Sequence, residues 1–282
     1  MRVFGNIILG GDSPFGQYIG SRAQDSFSFG RGERSSCKLD LNHENPIIGG
    51  FSDWESRFDT LNIYLIFYND AINIRRGDLS LPEIEVLRSI LDSISVDRKV
   101  NIFFCSSISL YADSWEGDIT LKTRIELKTV YQIKKFLIER ALFETCSTRR
   151  NIYCAVFRIP CFVGFGAKHN FLVKIKNSML AGESFQLSNI YALFNAVTSF
   201  ETLYDISETL VRQGRVGFQI FNIGSKEPIT LHFFFSEVCC VRYNVVPYSG
   251  PPARLIDISP LISLGIDPPD TLNTLRSFFN ES

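Results

Sequence analysis

Short apolar runs recur along the chain, each closed by a glycine or polar turn and most followed by a longer stretch of helical period. Val3–Leu9, Ile63–Phe67, Val100–Cys105 and Asn151–Arg158 are almost continuously apolar, the signature of strands buried on both faces of a parallel sheet. Further strands are expected at Ser26–Phe29, Ser36–Leu41, Phe185–Leu187 and Gly217–Ile223. Helices are expected from Phe15 and over Leu81–Ser95, Leu127–Cys146, Asn170–Ala181 and Ser207–Gln213. Strand and helix in alternation predict an α/β fold, a doubly wound parallel sheet with helices on both faces. The segments Gly166–Phe200 and Lys226–Ser282 fall outside that rhythm. Phenylalanine occurs 25 times, and Phe233-Phe234-Phe235 reads as a buried helix packed on a sheet or on a second subunit.

Two places carry candidate chemistry. After the first strand comes Gly10-Gly11-Asp12-Ser13-Pro14-Phe15-Gly16, a tight turn opening a helix. Such a turn lets backbone approach a pyrophosphate and aims the free N–H groups of a helix N-terminus at the anion. Ser13 stands where the middle glycine of a GxxGxxG spacing would be; it narrows the approach, while its hydroxyl offers a donor to a phosphate oxygen. Pro14 is tolerated there because the first helical N–H has no helical partner. A plain strand-to-helix turn is the other reading. The second place is Tyr131-Gln132-Ile133-Lys134-Lys135, downstream of the serine-rich strand end Phe103–Ser109. A phenol titrates near ~10 unaided, and a lysine one helical turn away lowers that value enough for acid-base work. Ser107 would then hydrogen-bond the carbonyl oxygen that Tyr131 protonates. A solvated helix face stays open beside this reading.

Taken together, these residues resemble an extended short-chain dehydrogenase/reductase of the nucleotide-sugar epimerase, dehydratase and reductase group, nearly end to end. Gly10–Gly16 resembles the family's glycine turn and Cys105–Tyr111 its strand-end motif with two serines and a tyrosine. Tyr131, Lys135 and Glu139 repeat its spacing on the active-site helix, and Arg158–Gly164 is similar to its Arg-Pro segment. Leu203–Ser207 looks like its Val-Asp-Asp-Val element and Phe221–Gly224 like Tyr-Asn-Ile-Gly. Asp257-Ile258-Ser259, Leu264-Gly265 and Pro268 resemble its closing motifs.

The resemblance implies a Rossmann-type NAD(P)-binding domain over residues 1–165, with 201–225 returning to it, and a smaller substrate lobe from 166–200 and 226–282. Ligands of such sheets lie at the carboxyl ends of the strands. It further implies a Ser107, Tyr131, Lys135 trio acting by hydride transfer on a nucleotide-activated sugar, by 4-keto reduction or 4-epimerisation, in polysaccharide or deoxysugar biosynthesis. Ile108 and Ser109 replace the acids that family dehydratases carry, which disfavours dehydration. The segment Ile66–Ala71, in place of the usual His-Leu-Ala-Ala, and Leu81–Ile84, in place of an asparagine, depart from the pattern near the nicotinamide. A non-catalytic dinucleotide-binding regulator or scaffold on the same fold is the alternative.

Dinucleotide contacts are expected from Gly10, Ser13, Phe15, Gly16, Arg31, Asp40, Tyr131, Lys135 and Pro160, and substrate contacts from Ser107 and Arg254. An acid at the end of the second strand would accept from ribose hydroxyls, whereas Arg31 and Arg34 would attract a 2′-phosphate; this favours NADP, with NAD open because Glu33 lies between them. Asp40 falls where the family contacts adenine. Arg254 offers a guanidinium fork for a substrate phosphate, or a surface salt bridge.

Composition narrows the setting. In 282 residues with net charge −1, the 45% hydrophobic content can build a sizeable core. A sequence pI near 6.3 argues against nucleic acid as a partner. Seven cysteines without regular spacing read as reduced thiols, and His43, His169 and His232 lack metal-ligand spacing, so no metal is expected. No apolar run is long enough to span a bilayer and no cleavage signal follows Arg2, which predicts a cytoplasmic protein. A homodimer paired through Leu127–Cys146 fits the family.

Overall fold

The structure, a computed structural model, describes residues 4–23, 25–30, 37–38, 54, 56–66, 81–113, 117–168, 170–248 and 253–280. Two compact units interleave along the chain. The first comprises Met1–Leu110, Leu127–Phe157 and Ser207–Ile220, and the second Tyr111–Glu126, Arg158–Ile206 and Phe221–Ser282.

Seven strands make the main sheet: β1 (Phe4–Leu9), β2 (Ser26–Gly30), β3 (Cys37–Lys38), β4 (Thr60–Leu65), β5 (Lys99–Ser107), β6 (Ile152–Ile159) and β7 (Gly217–Asn222). Their order is β7-β6-β5-β4-β1-β2-β3, and the pairings from β3 through to β5 are parallel. The chain thus starts in mid-sheet, winds outward to β3, then returns to β4 on the other side of β1. That reversal makes the β1/β4 junction the topological switch point of a doubly wound sheet, where ligands of this architecture gather. All six residues of β4 are buried, as expected of a strand covered on both faces.

Helices follow from local signals. Helix α1 (Pro14–Arg22) is capped by Ser13 and has proline at its first position. Helix α2 (Pro82–Ser93) also opens on proline. Helix α3 (Val130–Thr148) begins with a capping box in which Thr129 and Gln132 satisfy each other's backbone N–H groups. Alternate strand residues Ile7, Leu9, Ile63, Leu65, Ile102 and Phe104 form one core with Leu87, Ile90 and Leu91 of α2 and Ile138 and Leu142 of α3. Each such side chain contributes about 2 kcal/mol when fully buried.

The second unit has its own core, in which Phe185, Leu187, Leu231, Phe234, Phe235, Leu275 and Phe278 pack together. Phe233–Val238 winds as a single wide π-type turn, with Phe234 and Phe235 buried and Phe233 exposed. The helix expected at Ser207–Gln213 instead spans Phe200–Gln213. Its start is set by Ser199, whose hydroxyl accepts from Thr202 N–H at 3.1 Å, so Leu203–Ser207 lies inside a helix and is not a separate element. The strand expected at Ile63–Phe67 runs from Thr60 to Leu65. Among the described residues, no helix is long and apolar enough to cross a membrane.

Candidate active site

The glycine turn is built by close backbone contacts. Gly10 sits at φ +100°, and a Cβ there would collide with the carbonyl oxygen of Ile66 at the end of β4; a Cβ on Gly16 would collide with the Gly10 carbonyl oxygen. Only glycine closes this turn without moving a strand. The N–H groups of Gly10 and Gly11 both donate to Phe29 O, at 3.0 and 2.9 Å. Ser13 donates its hydroxyl to Gly10 O at 2.7 Å and accepts from Gly16 N–H at 3.0 Å. Its proton therefore serves the turn and is not offered to a phosphate, contrary to the role the sequence suggests. Phe15 is 2% exposed, so its side chain belongs to the core.

The catalytic candidates occupy the same unit. Lys135, although 3% exposed, donates its ammonium to Cys105 O at 2.7 Å and lies 4.9 Å from the Phe104 ring and 5.8 Å from the Tyr131 ring. One carbonyl at the end of β5 thus fixes the lysine beside the tyrosine. Burial pushes the Cys105 thiol up to about 12, with the Lys135 charge opposing, so this cysteine stays neutral. One turn further along α3, the buried Glu139 carboxylate accepts from the Ser106 hydroxyl at 2.5 Å. Ser107 Oγ lies 2.9 Å from Ser109 Oγ and accepts from Ser109 N–H at 3.1 Å. No hydrogen bond joins Ser107 to Tyr131 among the described residues, and none engages the Tyr131 hydroxyl.

Gln132, which the sequence reading passed over, ties the two halves of this arrangement. Its Nε2 donates to Ser109 O at 2.5 Å, while its Oε1 accepts from the N–H groups of Lys128 and Thr129 at 2.7 and 2.9 Å. The serine loop is thereby held against the helix that carries Tyr131. The capping-box spacing of Thr129 and Gln132 is the signal that could have found it.

Three motif residues meet in the second unit. Arg158 donates to the Tyr111 hydroxyl at 2.8 Å, and Tyr111 donates to Asn222 Oδ1 at 2.6 Å, all three being buried. Pro160 separates β6 from the short strand Cys161–Val163, in that same unit. Arg254 donates one guanidinium N–H to Ala112 O at 2.6 Å and so braces that backbone. A cavity of about 660 Å³ is lined by Phe171, Lys174, Phe185, Asn189, Phe194 and Tyr248, among others. Arg31, Arg34, Asp40, the Phe67–Ala71 segment, His43 and His169 lie outside the described residues. Those described include no cluster of His, Cys, Asp and Glu that could hold a metal.

No family model matches the sequence, and no curated protein matches it either. Solved structures do match over nearly the whole chain. UDP-N-acetylglucosamine 4-epimerase from Bacillus cereus is 16% identical with a TM-score of 0.71, covering 98% of each chain. UDP-glucose 4-epimerase from Thermotoga maritima, solved with UDP-glucose, is 16% identical with a TM-score of 0.70, covering 98% of this chain and 97% of its own. RMD from Pseudomonas aeruginosa, solved with NADPH, is 14% identical with a TM-score of 0.73, covering 97% of this chain and 98% of its own. Sheet order, switch point and these neighbours together give the chain a Rossmann-type fold, the fold these solved structures share.

Proposed function

We propose that the chain is an NAD(P)-dependent enzyme of the extended short-chain dehydrogenase/reductase family that reduces or epimerises a nucleotide-activated sugar at a ring carbon. The observation that carries this reading is the placement of Lys135. A nearly buried ammonium anchored to Cys105 O beside an unengaged tyrosine hydroxyl has a purpose in acid-base work and little in stability. Tyr131 exchanges the proton of the sugar hydroxyl, Lys135 grips ribose, and Ser107 orients the reacting oxygen. A bound nicotinamide would supply or accept the hydride. The chain's residues fit that group at two points of the first unit, the Gly10–Gly16 turn and the Tyr131–Lys135 pair. Arg31 and Arg34 favour NADP, and Glu33 keeps NAD in play. In the second unit, the cavity of about 660 Å³ falls in the range of small-molecule sites, and we assign it to the nucleotide of the substrate.

A second reading, a non-catalytic dinucleotide-binding regulator or scaffold, is favoured by the Ser13 hydroxyl being spent within the turn. Titration with NADPH and NADH, followed by nicotinamide fluorescence, separates the two when combined with turnover of UDP-sugars and their 4-keto forms. The enzyme reading expects Tyr131→Phe to abolish turnover while dinucleotide affinity stays nearly unchanged. Turnover by the phenylalanine variant at the wild-type rate refutes the assignment.

A further inference from the structure

We infer that the sugar substrate carries a carboxylate on the ring carbon next to the reacting one, as a nucleotide-linked hexuronate does, and that Lys134 receives that carboxylate. The inference rests on the enzyme reading above and names its substrate class. Lys134 stands on α3, three residues after Tyr131 and next to Lys135. It is 4% exposed, about as deeply set as Lys135. The two lysines differ in what they meet. Lys135 donates to Cys105 O at 2.7 Å, whereas no hydrogen bond or ion pair engages the Lys134 ammonium among the described residues. A cation held so far out of water without an acceptor destabilises a fold, and an apolar side chain of similar length would serve packing better. One turn further on, the buried neighbour is Ile138, which offers no acceptor. The buried acid of the helix, Glu139, lies about 140° around it from Lys134 and accepts from Ser106.

Helix geometry sets where this ammonium acts. Lys134 and Lys135 stand about 60° and about 40° to either side of Tyr131 around α3. Side chains on a helix lean toward its N-terminus, so both lysines flank the tyrosine, and Lys135 reaches to 5.8 Å from its ring. Cβ atoms three residues apart on a helix lie about 5–6 Å from each other, so an oxygen at Tyr131 and an anion at Lys134 occupy neighbouring positions of one ligand. Chemistry then narrows the anion. The diphosphate of a nucleotide-activated sugar is attached at C1, across the ring from C4. The dinucleotide's pyrophosphate belongs to the Gly10–Gly16 turn in the enzyme reading, and its nicotinamide ribose is uncharged. A C6 carboxylate is borne by C5, directly beside the C4 oxygen that Tyr131 serves. A charge-assisted hydrogen bond from lysine to that carboxylate favours the acidic sugar over its neutral counterpart by about 10- to 100-fold.

The test is calorimetric titration of UDP- and GDP-linked hexuronates, and of the corresponding neutral hexoses, into wild type and Lys134→Met with oxidised dinucleotide present. Thermal melts and fluorescence titrations with NADPH and NADH accompany both proteins. Wild type is expected to bind a hexuronate about 10- to 100-fold more tightly than its hexose counterpart. Lys134→Met should erase that preference by weakening the hexuronate alone, with dinucleotide Kd unchanged. Its Tm should equal or exceed that of wild type, because a cation without an acceptor has been removed from the interior. Equal wild-type affinity for acidic and neutral sugars overturns the inference and leaves the enzyme reading standing. So does a preference that survives in Lys134→Met, a loss of dinucleotide affinity in its place, or a fall in Tm, which would assign the lysine to the fold. Failure of wild type to bind any of these nucleotide sugars overturns the substrate of the enzyme reading and the inference with it.

Discussion

Replacing Gly10 with alanine probes how the turn is held to the sheet. The residue lies at φ +100°, where an L side chain costs roughly 1–2 kcal/mol. The new methyl would also strike the carbonyl oxygen of Ile66, whose own N–H donates to Leu9 O at 2.8 Å. Relieving that collision displaces the end of β4 and weakens this hydrogen bond, adding about 1 kcal/mol. The sum of roughly 2–3 kcal/mol lowers Tm by roughly 5–10 °C in a chain of this size. Gly182 supplies the control. It has φ +69° and nothing within 4 Å of an added Cβ, so Gly182→Ala meets the backbone cost alone, about 1 kcal/mol. Thermal melts of both variants followed by circular dichroism should show the larger fall for Gly10→Ala. Equal falls, or an unchanged Tm for Gly10→Ala, would refute the claimed contact with Ile66.

Three further outcomes follow from the same contacts. Gln132→Ala releases the loop of Ser107 and Ser109 from α3, and should reduce kcat on the sugar substrate while leaving dinucleotide Kd unchanged; equal kcat sinks the positioning role. Tyr111→Phe strips both hydrogen bonds that link Arg158 to Asn222 and leaves buried groups unpaired, costing about 1–3 kcal/mol in urea unfolding, and a cost near zero would show that the relay is not needed. Burial raises Cys105 and Cys161 to about 12 from an ordinary 9.0. Because the folded values lie above the unfolded ones, this stability is full below about pH 9 and declines as pH rises toward 12. At pH 10 each thiol should cost about 1.4 kcal/mol, so a Cys105→Ala, Cys161→Ala protein should lose less stability between pH 8 and 10 than wild type.

The sheet was legible in the sequence because its central strands are mostly apolar, and a strand buried on both faces leaves little else to read. Helix α3 was harder. Its buried stripe is Lys134, Lys135, Ile138, Glu139 and Leu142, so three of the residues facing inward are charged and the apolar period that marks a core helix is broken. The chemistry of the site is what disturbs the pattern, since Lys135 and Glu139 face inward to reach Cys105 O and Ser106. The meeting of Tyr111, Arg158 and Asn222 was illegible for another reason. Each belongs to a recognisable motif, but residues separated so far in sequence are joined only by the fold. The early start of the Phe200–Gln213 helix escaped because its cap is a serine side chain at the end of a short strand, and the residues after it resemble a separate element.

Register remains to be explained, because the apolar rows alone do not specify it. Ile7, Ile63 and Ile102 lie side by side, as do Leu9, Leu65 and Phe104, and a slip of two residues would still set one large apolar side chain beside another. The row that cannot slip is polar. Asn6, Asn62 and Asn101 are paired across β1, β4 and β5; Asn62 donates to Asn6 at 3.1 Å, Asn101 donates to Asn62 at 2.9 Å, and Asn6 donates to Asp25 O at 3.3 Å. All three are buried, and although Asn101 Oδ1 already lacks a partner, a slipped sheet would strand further amide groups, each costing about 1–3 kcal/mol. That penalty outweighs any gain from rearranged aliphatic contacts and selects one register. With it, the residues just past the paired ends, Gly10, Ile66 and Cys105, come level. Gly10 can then turn under the Ile66 carbonyl, and Cys105 O stands where Lys135 reaches it. An amide row near the start of the strands thereby positions the glycine turn and the lysine at their ends.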